Sequence, residues 1–265
     1  NYQTQHYYLA HTPHPMYPSL QLDPRLWSVG RTHRDMESVG TIFSSALAGN
    51  LLVLVATSAV AQLTLYAGSI ALNSSVRLSP KKRAYVLCLY TAAFSTAGAL
   101  AYAPRLLREG LDLSYYMHDD PLSRFSAVHF ATYLVLDLMV GALHYPQYLG
   151  IFTGWIHHVV YVAILAFAVQ QRVTLLFMAA LPLEIPTLVL SAGSVFPALR
   201  SDYVFGASFF AFRILYHCYT LAELLTRDAP SWMWQVCTVA LIPHIMWFYN
   251  WTRKYLLATR GSKSD

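Results

Sequence analysis

Long apolar stretches separated by short polar ones dominate the chain from residue 40 onward. A helix crossing the roughly 30 Å hydrocarbon core takes about 20 mostly apolar residues, with about 17–25 workable. The pattern predicts spans over 40–70, 84–103, 126–143, 151–170, 173–196, 203–225 and 231–251, the second ending at Pro104. Apolar residues cover every face of these segments, so the alternating strands of a membrane β-barrel are excluded. The fold class is therefore all-α and polytopic, with about seven transmembrane helices. Residues 1–37 hold no such stretch and read as an irregular, aromatic-rich arm (HYYLAHTPHPMYP) without the continuous apolar core of a signal peptide. The membrane domain is expected over 38–255, followed by a basic tail over 256–265.

Composition agrees with this and narrows it. Only 12% of the residues are charged and 56% are hydrophobic, against about 25% and 45–50% in a soluble domain. Disorder is excluded by the same numbers. Three cysteines (Cys88, Cys218, Cys237) make no disulfide framework and no CxxC zinc pair; they read as apolar core fillers. The net charge of +5 is scattered in short groups, which does not suggest nucleic acid. Arg77, Lys81, Lys82 and Arg83 crowd one short loop, and Arg253, Lys254, Arg260 and Lys263 follow the last span. The positive-inside bias puts both in the cytosol and the N-terminus in the lumen. The loop after the second span carries Arg105, Arg108 and Arg124 with Glu109, Asp112, Asp119 and Asp120, and acids count little in that rule. The sequons at Asn73 and Asn250 then lie at cytosolic ends and are expected to stay unglycosylated.

An ionisable side chain at the bilayer centre costs about 2.5–3.5 kcal/mol on insertion scales, so such residues usually face the bundle interior and mark a site. The predicted spans contain Asp137, His157, His158, Glu184, Arg213, His217 and His244. Neighbours on a helix point about 100° apart, so one of His157 and His158 can face a cavity while the other packs beside it. Glu184 sits in LPLEIP, where Pro182 and Pro186 each remove a backbone donor; irregular backbone at that depth lines protein or a wet cavity. Arg213 and His217, four apart, share a helix face, and Arg213 needs a carboxylate, with Asp137 and Glu184 the candidates. Plainer readings stand beside these. Asp137 and Arg213 suit a structural ion pair, His129 and His144 an interfacial position, and His244, next to Pro243, a bond to a freed carbonyl. Trp232, Trp234, Trp247, Tyr249 and Trp251 suit interface anchoring.

The stretches LVLDLMVG, WIHHVVY, ALPLEIPTLVL, FFAFRILYH and PHIMWFYNWTRKY follow one another in an order that resembles the TLC-domain family, the membrane fold shared with ceramide synthases, over nearly all of residues 60–255. The likeness is greatest to members outside the synthase branch. The resemblance implies six final spans around a central cavity open toward the cytosol, with the His pair deep inside. In ceramide synthases that pair serves acyl transfer from acyl-CoA to a sphingoid amine. Two departures count against that acceptor: LPLEIP offers one glutamate where the synthases carry paired aspartates, and the 72–83 loop is too short for their homeobox-like insert.

The resulting expectation is a membrane lipid enzyme of the acyltransferase kind, with acyl-CoA as co-substrate and no metal. His157 or His158 would act as nucleophile or general base, oriented by Glu184 or Asp137. Arg213, His217, Tyr216, His244 and Trp155 would bind substrate, and Lys81, Lys82 and Arg83 would attract the CoA phosphates or the anionic leaflet. The competing reading is a non-enzymatic lipid-binding or lipid-transfer protein holding a lipid in the cavity. A metal site built from His157, His158, His217, Glu184 and Asp137 is disfavoured by the lack of HxxH, and a proton-coupled transporter by the lack of an inverted repeat. The expected partner is a membrane lipid or fatty acyl ligand, with no nucleic acid and a homodimer left open. The family suggests the endoplasmic reticulum.

Overall fold

The computed structural model describes residues 50–261, so the 1–37 arm, the first ten residues of the first expected span and the end of the tail lie outside the described residues. Among the described residues every regular element is helical. They run α1 Leu51–Leu72, α2 Ser74–Leu78, α3 Pro80–Glu109, α4 Leu113–Tyr116, α5 Pro121–His144, α6 His157–Gln171, α7 Leu175–Ala180, α8 Ile185–Val195, α9 Asp202–Ser208, α10 His217–Thr226 and α11 Ser231–Gly261. Two π-helical segments, Ile151–Ile156 and Phe209–Tyr216, lead directly into α6 and α10, and a 3₁₀ turn, Leu181–Glu184, joins α7 to α8.

Local chemistry explains the boundaries. Asn50 caps α1 by accepting from the Leu52 amide, and Asn73 caps α2 by accepting from the Ser75 and Val76 amides. Ser79 followed by Pro80 opens α3, and Asp120 with Ser123 forms a reciprocal capping box ahead of α5 with Pro121 at its first position. α3 ends at Gly110, whose φ of 64° favours a residue without a Cβ. Pro104 does not end α3, as the apolar pattern suggested. The helix continues through it for another turn, where Arg105 and Glu109 pair at 2.9 Å one turn apart.

Five helical stretches are long and apolar enough to cross a membrane: Leu51–Leu72, Pro80–Glu109, Pro121–His144, Ile151–Gln171 and Leu175–Val195. The two remaining expected spans are helical as well, but less apolar. Asp202–Thr226 is divided by its π segment and carries Arg213, His217 and Glu223, while Ser231–Gly261 is rich in Trp, Tyr, Gln and His. The outward surfaces are those of a membrane protein: Leu52, Leu100, Leu143, Ile151 and Val239 all stand exposed, where a soluble chain would aggregate. The inward face of α1 carries polar groups at helical spacing, Ser58, Gln62 and Tyr66, all buried. Gln62 donates to the His129 carbonyl at 3.0 Å, and Tyr66 and His144 are hydrogen-bonded at 2.9 Å. His129 and His144 therefore fasten α1 to α5, a use that suits a bundle where lipid supplies no hydrophobic drive for helix association.

The connections fall into two groups. Leu175 N–H donates to the His118 carbonyl, Ser123 bonds Thr174, and Glu223 accepts from the Leu111 amide, so the 110–120, 172–174 and 227–230 connections meet at one end. Arg83 donates to the His144 carbonyl, which brings the basic 73–83 connection beside the 145–150 one at the other end.

Candidate functional site

The adjacent histidines serve two different neighbourhoods. A π-helical turn carries one more residue than an α turn, and Ile151–Ile156 sets the rotation at which α6 begins. His158 points into the bundle and is buried. Its Nδ1–H donates to the Gly154 carbonyl at 2.6 Å, a partner that can only accept. Nε2 faces Asp137 Oδ2 at 3.3 Å, within ion-pair distance but off the line of a hydrogen bond. Asp137 Oδ1 accepts from the buried Tyr145 hydroxyl at 2.8 Å. His157 instead lines a cavity of about 220 Å³. Its ring packs on Tyr161, with centroids 4.5 Å apart, and beside Trp247. Among the described residues neither of its ring nitrogens has a hydrogen-bond partner.

The cavity walls are almost wholly apolar, including Phe130, Ile164, Leu176, Phe177 and Val236. Polar groups converge only around mid-helix, where Glu184, Arg213, His217 and His244 join His157. Arg213, on the π segment, is held from several sides. Nε donates to the Leu183 carbonyl at 2.9 Å, and one terminal nitrogen donates to Thr187 Oγ1 at 2.7 Å and Glu184 Oε1 at 3.3 Å. The other terminal nitrogen approaches His244 Nε2 at 3.5 Å. The 3₁₀ turn between the two prolines thus presents both a carbonyl and a carboxylate to one guanidinium.

The tautomers of the remaining histidines follow from their partners. His217 Nε2 lies 3.0 Å from the Cys237 carbonyl and must donate to it. Its Nδ1 is then the acceptor for His244 Nδ1–H at 3.0 Å, leaving His244 Nε2 to accept from Arg213. The chain Arg213–His244–His217–Cys237 is polarised in one direction, and both imidazoles in it are neutral. His244 bonds side chains rather than the carbonyl freed by Pro243; His217 takes a carbonyl instead.

Several expected groupings change. Arg213 pairs with Glu184, one of its two expected carboxylates, and not with Asp137, because the π segment turns it toward the 3₁₀ turn that contains Pro182. Asp137 and His158 do not line the cavity. Tyr216 lines it, but its hydroxyl is spent on the Ala179 carbonyl. Trp155 lies outside, 44% exposed, in a shallow apolar groove with Val135, Met139 and Val159; the π turn places it on the outer face. Cys218 is also exposed. The cavity extends toward Leu111, Val173, Trp232 and Met233, the end opposite the Lys81, Lys82 and Arg83 loop. A cavity open on the basic side, as the family resemblance implied, is therefore not what the helices enclose. Phe167 and Trp232, both partly exposed, meet edge to face at its margin with centroids 5.3 Å apart. Among the described residues, no group of three or more His, Cys, Asp or Glu converges to hold a metal ion. Tyr161 escaped the sequence reading, although its position one turn after His157 in WIHHVVY was the available signal. No protein-family model, curated protein or solved structure matches the chain.

Proposed function

We propose that this chain is a seven-span membrane protein of the TLC type that draws the apolar chain of a lipid into the cavity and meets its polar end at His157, Glu184 and Arg213. The observation that carries this reading is the one-ended polarity of the cavity: apolar walls with ionisable groups converging at a single depth, the usual make-up of a small-molecule site. Its volume of about 220 Å³ takes roughly seven groups of water size at ~30 Å³ each, so a longer chain would continue out past Phe167 and Trp232. By the positive-inside rule that margin faces the lumenal leaflet, with the C-terminus cytosolic; residence in the endoplasmic reticulum follows from the family likeness alone. The test is native mass spectrometry of the purified protein. An intact lipid is expected to stay bound in wild type and in His157→Ala, and to be lost in Ala240→Trp, which fills the cavity. Equal lipid retention in Ala240→Trp and wild type rejects the assignment.

A second reading, acyl transfer from acyl-CoA to a lipid acceptor, is favoured by the open nitrogens of His157. An imidazole nitrogen would attack the thioester carbonyl, expel the CoA thiolate and pass the acyl group on to the acceptor. It ranks second because His157 has no carboxylate to orient it, whereas His158, which has Asp137, does not reach the cavity. A covalent acyl adduct on His157 after incubation with acyl-CoA would reverse that order.

A further inference from the structure

We infer that the polar end of the cavity selects a neutral, hydroxyl-bearing lipid and rejects an anionic one, a specificity that rests on the lipid-binding reading above. A lone arginine at this depth would invite a carboxylate or phosphate. Arg213 is not such a group. Its charge is matched by Glu184 at 3.3 Å, and four of its five N–H bonds are directed at Leu183, Glu184, Thr187 and His244. His244 and His217 have both ring nitrogens engaged with each other, Arg213 and the Cys237 carbonyl. Their tautomers brace the guanidinium from behind and leave nothing for a ligand.

What remains for a ligand is the fifth N–H of Arg213, the ring of His157, the hydroxyl of Tyr161 and the second oxygen of Glu184, all on the cavity wall and without a hydrogen-bond partner among the described residues. This set contains a carboxylate oxygen and an imidazole nitrogen, which accept, and a phenol and one charge-matched guanidinium N–H, which donate. A hydroxyl both donates and accepts and matches it. An anionic head group would meet Glu184 with no uncommitted cation to offset it, and burying an unpaired charge in an apolar cavity is strongly unfavourable.

The experiment uses the purified full chain in phosphatidylcholine nanodiscs, with radiolabelled decanol and the permanently ionised decanesulfonate at equal mole fraction in lipid. Decanol is expected to bind at least about tenfold more tightly, a difference of about 1.4 kcal/mol. Equal binding, or preference for the sulfonate, overturns the inference while leaving cavity binding in place. Saturable binding of neither probe overturns the cavity reading itself. Glu184→Gln frees the charge of Arg213 and is expected to invert the preference toward the sulfonate; an unchanged ratio in a folded variant refutes the charge argument. Should that variant not fold, Tyr161→Phe decides. It is expected to weaken decanol about three- to tenfold, the value of one hydrogen bond, with sulfonate binding unaltered, and no change for decanol rejects the proposed contact.

Discussion

Replacing Asp137 separates a structural role for the His158 network from a catalytic one. Asp137 is 6% exposed, accepts from the buried Tyr145 hydroxyl at 2.8 Å, and lies 3.3 Å from His158 Nε2 without a hydrogen bond to it. Asp137→Ala strands that hydroxyl. A buried polar group left unsatisfied costs about 1–3 kcal/mol, and hydrogen bonds within membrane bundles average nearer ~0.6 kcal/mol, so the expected loss is toward the lower end, about 1–2 kcal/mol. At about 2–4 °C per kcal/mol for a chain of this size, Tm measured in mild detergent should fall by about 2–8 °C. Asp137→Asn behaves differently. The amide oxygen still accepts from Tyr145. That variant should stay within about 1 kcal/mol of wild type and retain lipid to the same extent as wild type under the proposed reading, since Asp137 does not line the cavity. Equal destabilisation by Ala and Asn would refute the reasoning, because it would mean that the charge of Asp137 matters rather than the hydrogen bond it accepts. Lipid loss in a folded Asp137→Asn protein would place the network in the binding machinery instead.

Three further outcomes are expected. Arg213→Lys should destabilise by about 1–3 kcal/mol, because one ammonium cannot reach Leu183, Glu184, Thr187 and His244 together and some of these partly buried acceptors lose their donor; a Tm within error of wild type would contradict the described bonding. Gly206→Ala should cost about 1–3 kcal/mol, since the added methyl would overlap the Trp251 ring where α9 meets α11, and Trp251→Leu in the same chain should recover most of it in the same melt. Outside the membrane, the Ser114 hydroxyl and then its amide donate to the Asp112 carboxylate and hold its pKa below the ordinary value. A lowered folded pKa means that the cap of α4 is fully present above about pH 4 and is lost as pH falls through the folded value. NMR titration of Asp112 should show this downward shift, which Ser114→Ala should reduce, and an unshifted wild-type curve would count against the cap.

Much of the bundle was readable in the linear chain. The apolar stretches marked where helices lie, whereas caps such as Asn73 and Asp120, which set where they begin, emerged only with the structure. The cost of burying Asp137, Glu184 and Arg213 in lipid made them candidates before any contact was known. The buried polar face of α1 was harder to see, because Ser58, Gln62 and Tyr66 are uncharged and sit inside a continuously apolar run. Their role became visible only through Gln62 on His129 and Tyr66 on His144.

Composition and hydropathy thus determined by themselves that the chain is helical and membrane-embedded, and which ionisable residues must find partners there. Free energy of transfer acts on each residue singly, so it can be summed along a sequence. Which partner each residue finds is a different kind of quantity. The split of His157 from His158, the pairing of Arg213 with Glu184 and the end toward which the cavity extends all depend on rotations between helices. Two π turns, Ile151–Ile156 and Phe209–Tyr216, set those rotations. A π turn is an extra residue held in place by tertiary packing, and periodicity within one helix carries no trace of the helix it faces.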